Sequence, residues 1–168
     1  MRKLMLILAA ACLIVAAGCA PNAPSRADYV YGQPEHPIVA DSETGLIYFM
    51  RESAFHGSGG GYFIFEDDQK IGVLHSGTYF IHKTTPGKHV YWAETETRVS
   101  MVLNIQPEQT YYVEVGLGAG IWLLRPEFHE ITAPLANKLL PDLKYIRLST
   151  EAEAAAIREG KKKESQRQ

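Results

Sequence analysis

From Gly45 onward the chain is divided into short apolar and aromatic runs, each closed by glycine, proline or acidic turn residues. Leu46-Ile47-Tyr48-Phe49-Met50 is the first, and Tyr62-Phe63-Ile64-Phe65 the next. Lys70-Ile71-Gly72-Val73-Leu74 follows Asp67-Asp68, and Thr78-Tyr79-Phe80-Ile81-His82 follows Ser76-Gly77. Pro86-Gly87 leads into His89-Val90-Tyr91-Trp92-Ala93. Between Val99 and Ile105 apolar and polar side chains alternate, and after Pro107-Glu108 come Tyr111–Leu117 and Ile121–Ile131. Runs of this length, rich in aromatic and β-branched residues and recurring about every ten positions, are the signature of a sandwich or barrel. Buried helices need longer runs and do not tolerate such frequent Gly and Pro. The expected fold is all-β: a small antiparallel β-sandwich over residues 44–148, with a disordered N-terminal tether and a short C-terminal helix.

The flanks have a different texture. Pro21, Pro24, Pro34 and Pro37 punctuate a stretch of small and polar residues, and proline both fixes φ and removes a donor. Residues 19–43 therefore read as a tether, able to reach about 80 Å when extended. Beyond Ala133, Pro134–Leu140 reads as a short helix and Leu143–Leu148 as a last strand. Residues 149–168 read as a short helix and basic tail. Thr150 caps an Ala- and Glu-rich run, Gly160 ends it, and Lys161-Lys162-Lys163 begins a solvated tail.

The first residues carry a targeting signal. Arg2 and Lys3 precede an apolar run from Leu4 to Ala17 that is too short to span a bilayer comfortably. A charged start, an apolar centre and small closing residues mark a signal peptide, residues 1–18. Its end, Val15-Ala16-Ala17-Gly18-Cys19, resembles the lipobox of bacterial lipoproteins, although Ala16 stands where that family prefers Leu, Val or Ile. The resemblance implies diacylglycerol on the Cys19 thiol, cleavage just before it, and a covalent lipid as the sole attached group, with no cofactor. Ala20, in place of the aspartate that retains such proteins at the inner membrane, implies the outer membrane, facing the periplasm. Of the two cysteines, Cys12 lies in the leader, so the mature chain keeps one thiol and no internal disulfide is possible. Loss of Arg2 and Lys3 leaves 15 basic against 19 acidic side chains, which gives no general attraction to nucleic acid.

Several pieces of the body resemble a family of bacterial lipoproteins catalogued as domain of unknown function 2846. They are Gly45–Arg51, Lys70–Leu74, Gly77–Phe80, Pro86–His89 and Thr110–Val113, in the expected order. The middle portion is also similar to PEGA-type β modules. Both resemblances imply a small β-sandwich in the cell envelope, and neither brings a reaction with it.

Chemistry-bearing residues are scattered. His36, His56, His75, His82, His89 and His129 include no His-x-His pair, though His75, His82 and His89 could meet across neighbouring strands. Gly57-Ser58-Gly59-Gly60-Gly61 lacks the Lys-Ser/Thr ending of a P-loop. Gly116-Leu117-Gly118-Ala119-Gly120 lacks the βαβ setting of a dinucleotide fingerprint. Glu94 and Glu96 lie two apart on one strand and read as surface charges more readily than as a glycosidase pair. Arg51, Tyr48, Tyr111 and Tyr112 are the candidate ligand or partner surface. The expectation is a non-enzymatic, lipid-anchored envelope lipoprotein that binds or supports an envelope protein or glycan. The alternatives are a glycan or peptidoglycan hydrolase and a periplasmic metal-binding module.

Overall fold

The computed structural model describes residues 23–34, 36–53, 60–95, 97–118 and 125–165. Ten strands form two sheets: β1 Tyr29–Gly32, β2 Gly45–Arg51, β3 Tyr62–Glu66, β4 Gln69–Leu74, β5 Thr78–Thr84, β6 Gly87–Glu94, β7 Arg98–Ile105, β8 Thr110–Gly118, β9 Arg125–Glu130 and β10 Lys144–Leu148. The larger sheet has the order β1-β10-β5-β2-β8-β9, the smaller β4-β3-β6-β7. The all-β sandwich expected from the runs is what forms. The pairing is antiparallel except for β10 on β5 and β2 on β8, which run parallel. Parallel neighbours cannot be joined by a tight turn. Here the chain crosses to the other sheet and back twice between β2 and β8.

The turn residues do two different jobs. Asp67-Asp68, with Asp67 at φ 47°, closes the β3–β4 hairpin inside the smaller sheet. Ser76-Gly77, Pro86-Gly87 and Pro107-Glu108 instead carry the chain from one sheet to the other. Gly77 sits at φ +72°, a conformation that costs glycine little and other residues much. At Gly72 the constraint is space, because an added Cβ would lie 2.3 Å from the Phe80 ring.

Between the sheets, Ile47, Phe49, Phe80, Val113, Val115 and Ile146 of the larger face Tyr62, Ile64, Leu74, Tyr91, Leu103 and Ile105 of the smaller. Tyr62 Oη donates to the Val115 carbonyl and so satisfies a buried hydroxyl across the core. β2 is central in its sheet and buries both faces, with Leu46 and Met50 covered on the outside. A helix, α1 (Ala133–Leu139), packs on β8 and buries Ala136 there.

Two expectations for the flanks are corrected. Arg26–Gly32 falls inside the stretch read as tether, yet Arg26–Asp28 forms a 3-10 turn and Tyr29–Gly32 pairs antiparallel with β10. Tyr29 is buried in the core, with the Arg26 guanidinium 5.2 Å from its ring centroid. The prolines lie on either side of this segment, so they bound a short strand and do not abolish it. The second correction concerns the C-terminal helix, α2, which runs Glu151–Ser165 straight through Gly160 and includes all three lysines. Thr150 caps it as expected: its Oγ1 accepts from the Glu153 amide at 3.3 Å, and Glu153 accepts from the Thr150 amide at 2.8 Å. Arg147 holds the same carboxylate with both guanidinium nitrogens, at 2.9 and 2.7 Å. Glycine lowers helix stability but does not stop a helix unless it takes a left-handed turn, and Gly160 does not. A Glu159–Lys163 ion pair at 2.8 Å spans it.

Candidate functional site

The four residues singled out from the sequence do not form one surface. Tyr48 and Tyr112 are direct neighbours on the outer face of the larger sheet, their ring centroids 5.3 Å apart. Tyr79 stacks on Tyr48 at 6.4 Å, and Tyr145 meets Tyr79 edge-on at 5.6 Å. Four adjacent strands thus contribute a row of rings of which three, Tyr48, Tyr79 and Tyr112, are half-buried. Burial raises the pKa of the Tyr48 hydroxyl, and Tyr112 and Tyr79 add to the effect. Tyr111 points the other way, towards the core, where its hydroxyl accepts from the Gln106 amide at 2.9 Å and donates to the Asn104 carbonyl at 3.2 Å. It supports the β7–β8 crossover and lies on the opposite face of the sheet from Tyr48 and Tyr112. Tyr145 escaped sequence reasoning because its neighbour Tyr79 is brought to it by a parallel pairing between strands distant in the chain.

Arg51 shares the core-facing side of β2 with Ile47 and Phe49 but lies at its far end, 2% exposed. Its Nη1 donates to the Gly60 carbonyl at 2.8 Å, and its guanidinium carbon is 5.2 Å from the Tyr62 ring centroid. Burial depresses its pKa, opposed by Tyr62. Above it opens a cleft of about 450 Å³ lined by Arg51, Glu52, Ser53, Glu114, Gly116, Leu117, Glu127 and His129. Burial, then the charge of Glu52, raises the pKa of the Glu114 carboxyl, with His129 opposing. Perturbed carboxyls in clefts recur at functional sites. Sequence spacing drew attention instead to Glu94 and Glu96. Glu94 pairs with Arg98 at 3.3 Å across the β6–β7 hairpin, and Glu96 lies outside the described residues.

Of the three histidines expected to approach one another, two do. His82 Nε2 and His89 Nδ1 each lie 3.0 Å from the Glu66 carboxylate, which also accepts from Thr84 Oγ1 at 2.9 Å and Tyr91 Oη at 2.7 Å. Burial pushes the Glu66 pKa up, but the His82, Tyr91 and Thr84 contacts outweigh it and hold the group at about 2. His89 Nε2 also faces the Thr85 carbonyl at 2.9 Å, so both its ring contacts are hydrogen bonds only when both nitrogens carry hydrogen. The cluster joins β3 and β6 of the smaller sheet to β5 of the larger at the Pro86–Gly87 crossover. Its donors point at the carboxylate and not at a common vacant point, so the cluster acts as a clasp between sheets. Among the described residues no group of three or more His, Cys, Asp or Glu side chains is arranged to hold a metal ion. His75 lies apart, 4.5 Å from the Tyr29 ring.

Cys19, His56, Trp122 and most of the Gly57–Gly61 loop lie outside the described residues, as do Ala119 and Gly120 of the second glycine-rich stretch. Gly116 and Gly118 belong to β8. Among the described residues no helix is long and apolar enough to cross a membrane. Comparison with family models, curated proteins and solved structures yields no match.

Proposed function

We propose that this chain is a bacterial envelope lipoprotein, cut before Cys19 and held by lipid on that thiol at the outer membrane, facing the periplasm. Its sandwich is a non-enzymatic module that binds an envelope protein or glycan. The likeness of Val15–Cys19 to a lipobox supports the anchor. The half-buried row Tyr48, Tyr79 and Tyr112 carries the binding reading, since amphipathic rings held rigidly on a sheet suit stacking on sugar or docking of protein. The likeness of the ordered pieces to domain of unknown function 2846 and to PEGA-type modules agrees with a β domain in the envelope.

Two measurements test this. Cys19→Ala abolishes palmitate incorporation and moves the protein out of the membrane fraction; a variant that stays membrane-bound, with a parent that takes up no palmitate, ends the anchor reading. A photo-crosslinker at Tyr112 captures a partner in intact cells, whereas one at Val102, 51% exposed on the other sheet, does not. Equal capture from both positions counts against a partner surface at the tyrosines.

A specific observation favours one second reading, a hydrolase acting on glycan. Glu52, Glu114 and Glu127 line one cleft, and Glu114 keeps its proton to higher pH than an ordinary glutamate. Glycoside hydrolysis uses a pair of carboxyls that flank the scissile bond. That reading requires purified protein to cleave peptidoglycan and Glu114→Gln to abolish the cleavage.

A further inference from the structure

We propose that the C-terminal half of α2 is a second membrane contact, lying against the anionic headgroups of the leaflet that holds the lipid anchor. The inference rests on the lipid-anchor reading. The observation behind it is where the anchored end of the chain enters the fold. The 3-10 turn Arg26–Asp28 packs on α2. Ala27 and Ala154 are buried, Ser149 Oγ donates to the Ala27 carbonyl, and the Ser149 amide donates to the Asp28 carbonyl at 3.0 Å. Five residues therefore separate Cys19 from Ser25, where the folded chain begins, a reach of about 20 Å at full extension. A tether running to residue 43 would have allowed about 80 Å. The base of α2 is tied to the anchor end of the molecule by this short lead.

From its base α2 leaves the body. Beyond Ala154 every residue to Ser165 is exposed except Ile157. At 100° per residue, Arg158, Lys161, Lys162 and Ser165 share one stripe with Glu151, which lies two turns nearer the base, and beyond Arg158 that stripe carries the two charges of Lys161 and Lys162. Lys163 pairs with Glu159 on one flank, and Glu164 borders the stripe on the other, three residues beyond Lys161. Near the base, Asp28 and Glu151 offset Lys70 and Arg158 around a shallow cleft, so the positive charge of the stripe that is left over is that of Lys161 and Lys162, towards the tip. Basic residues close to an anionic leaflet are attracted within roughly a Debye length, about 10 Å. A short lead keeps the stripe near that layer, so a weak contact is enough to seat it.

The lipidated full-length protein, reconstituted in phosphatidylcholine vesicles with or without phosphatidylglycerol, tests this. Because the mature chain's single cysteine carries the lipid, Ser165→Cys gives one labelling site for a fluorophore, and nitroxide headgroup lipids report its proximity. The expected result is flotation with both vesicles, but quenching at least about fivefold stronger with phosphatidylglycerol. High salt or the variant Lys161→Gln/Lys162→Gln/Lys163→Gln removes that difference, with thermal unfolding unchanged because these side chains are exposed. Flotation with equal quenching in both vesicles overturns the membrane contact while leaving the anchor intact. Failure to float overturns the anchor reading and the contact with it. An unquenched label, together with lysine-dependent sedimentation on purified peptidoglycan, overturns the contact in favour of a wall polymer.

Discussion

At the residue scale the sandwich depends on side chains that serve both sheets at once. Glu66 is the clearest case, a carboxylate 13% exposed that accepts from Thr84 and Tyr91 and contacts His82 and His89. Its folded pKa of about 2 lies below the ordinary value of 4.5. The sign of the linkage follows: the folded state gains from this group above about pH 4.5, and the gain disappears as pH falls towards 2. Allowing for its partial exposure, the effect is of order 2 kcal/mol. Glu66→Gln is expected to lower the urea midpoint at neutral pH by that amount, and to flatten the loss of stability between pH 5 and pH 3 relative to the parent. Titrated urea unfolding reads both. Gly72 gives an independent test of core packing. Gly72→Ala drives a Cβ into the Phe80 ring, which is locked in the core, and is expected to cost about 1–3 kcal/mol, again read by denaturant unfolding. Neither role was legible in the sequence. Glu66 precedes an obvious Asp-Asp turn and reads as a surface charge, and Gly72 reads as one more strand glycine. Each acquires its meaning from a residue eight or more positions away.

At the element scale, local signals found the strands more reliably than their ends or their partners. The apolar runs mark β2 to β8 because a half-buried strand must alternate or run apolar, whatever its neighbours. The helix α2 shows where local reasoning stops. Its start is set by Thr150 and Glu153, whose reciprocal hydrogen bonds are built from adjacent residues. Its end is set by the balance between the cost of Gly160 and the pairing of Glu159 with Lys163, and the two differ by only a few tenths of a kcal/mol. Gly160→Ala should therefore slow amide exchange from residue 155 to the C-terminus, strengthening the helix by roughly 0.5–1 kcal/mol. Thr150→Ala should do the opposite at the first turn, by about 1 kcal/mol. Exchange unaltered by both changes would mean that the cap and the glycine do not govern α2.

At the scale of the whole molecule, β1 decides how the domain is closed. Tyr29 is only 9% exposed, and the backbone of Tyr29–Gly32 completes the edge beside β10. Truncation to residue 33 is expected to lower stability by roughly 3 kcal/mol or more, from loss of the Tyr29 ring and four paired residues. A true tether would leave the thermal midpoint unchanged. The same arrangement explains why the candidate surface was only partly foreseen. Tyr48 and Tyr112 came together as neighbouring strands require, but Tyr111 turned inward and Arg51 closed one end of the core. One residue of register moves a side chain to the opposite face.

The sequence alone determined the number and spacing of most strands, the positions of the turns and the cap of α2. All are set by residues within a few positions of one another, where propensity and backbone sterics act directly. The tertiary structure alone decided which turns stay in a sheet and which cross between sheets. It decided that β2 lies parallel to β8, that Glu66 gathers two histidines, and that Arg26–Gly32 belongs to the fold. These depend on pairings between distant strands. Their free energy comes from burying two faces against each other, and no short window of sequence contains both faces.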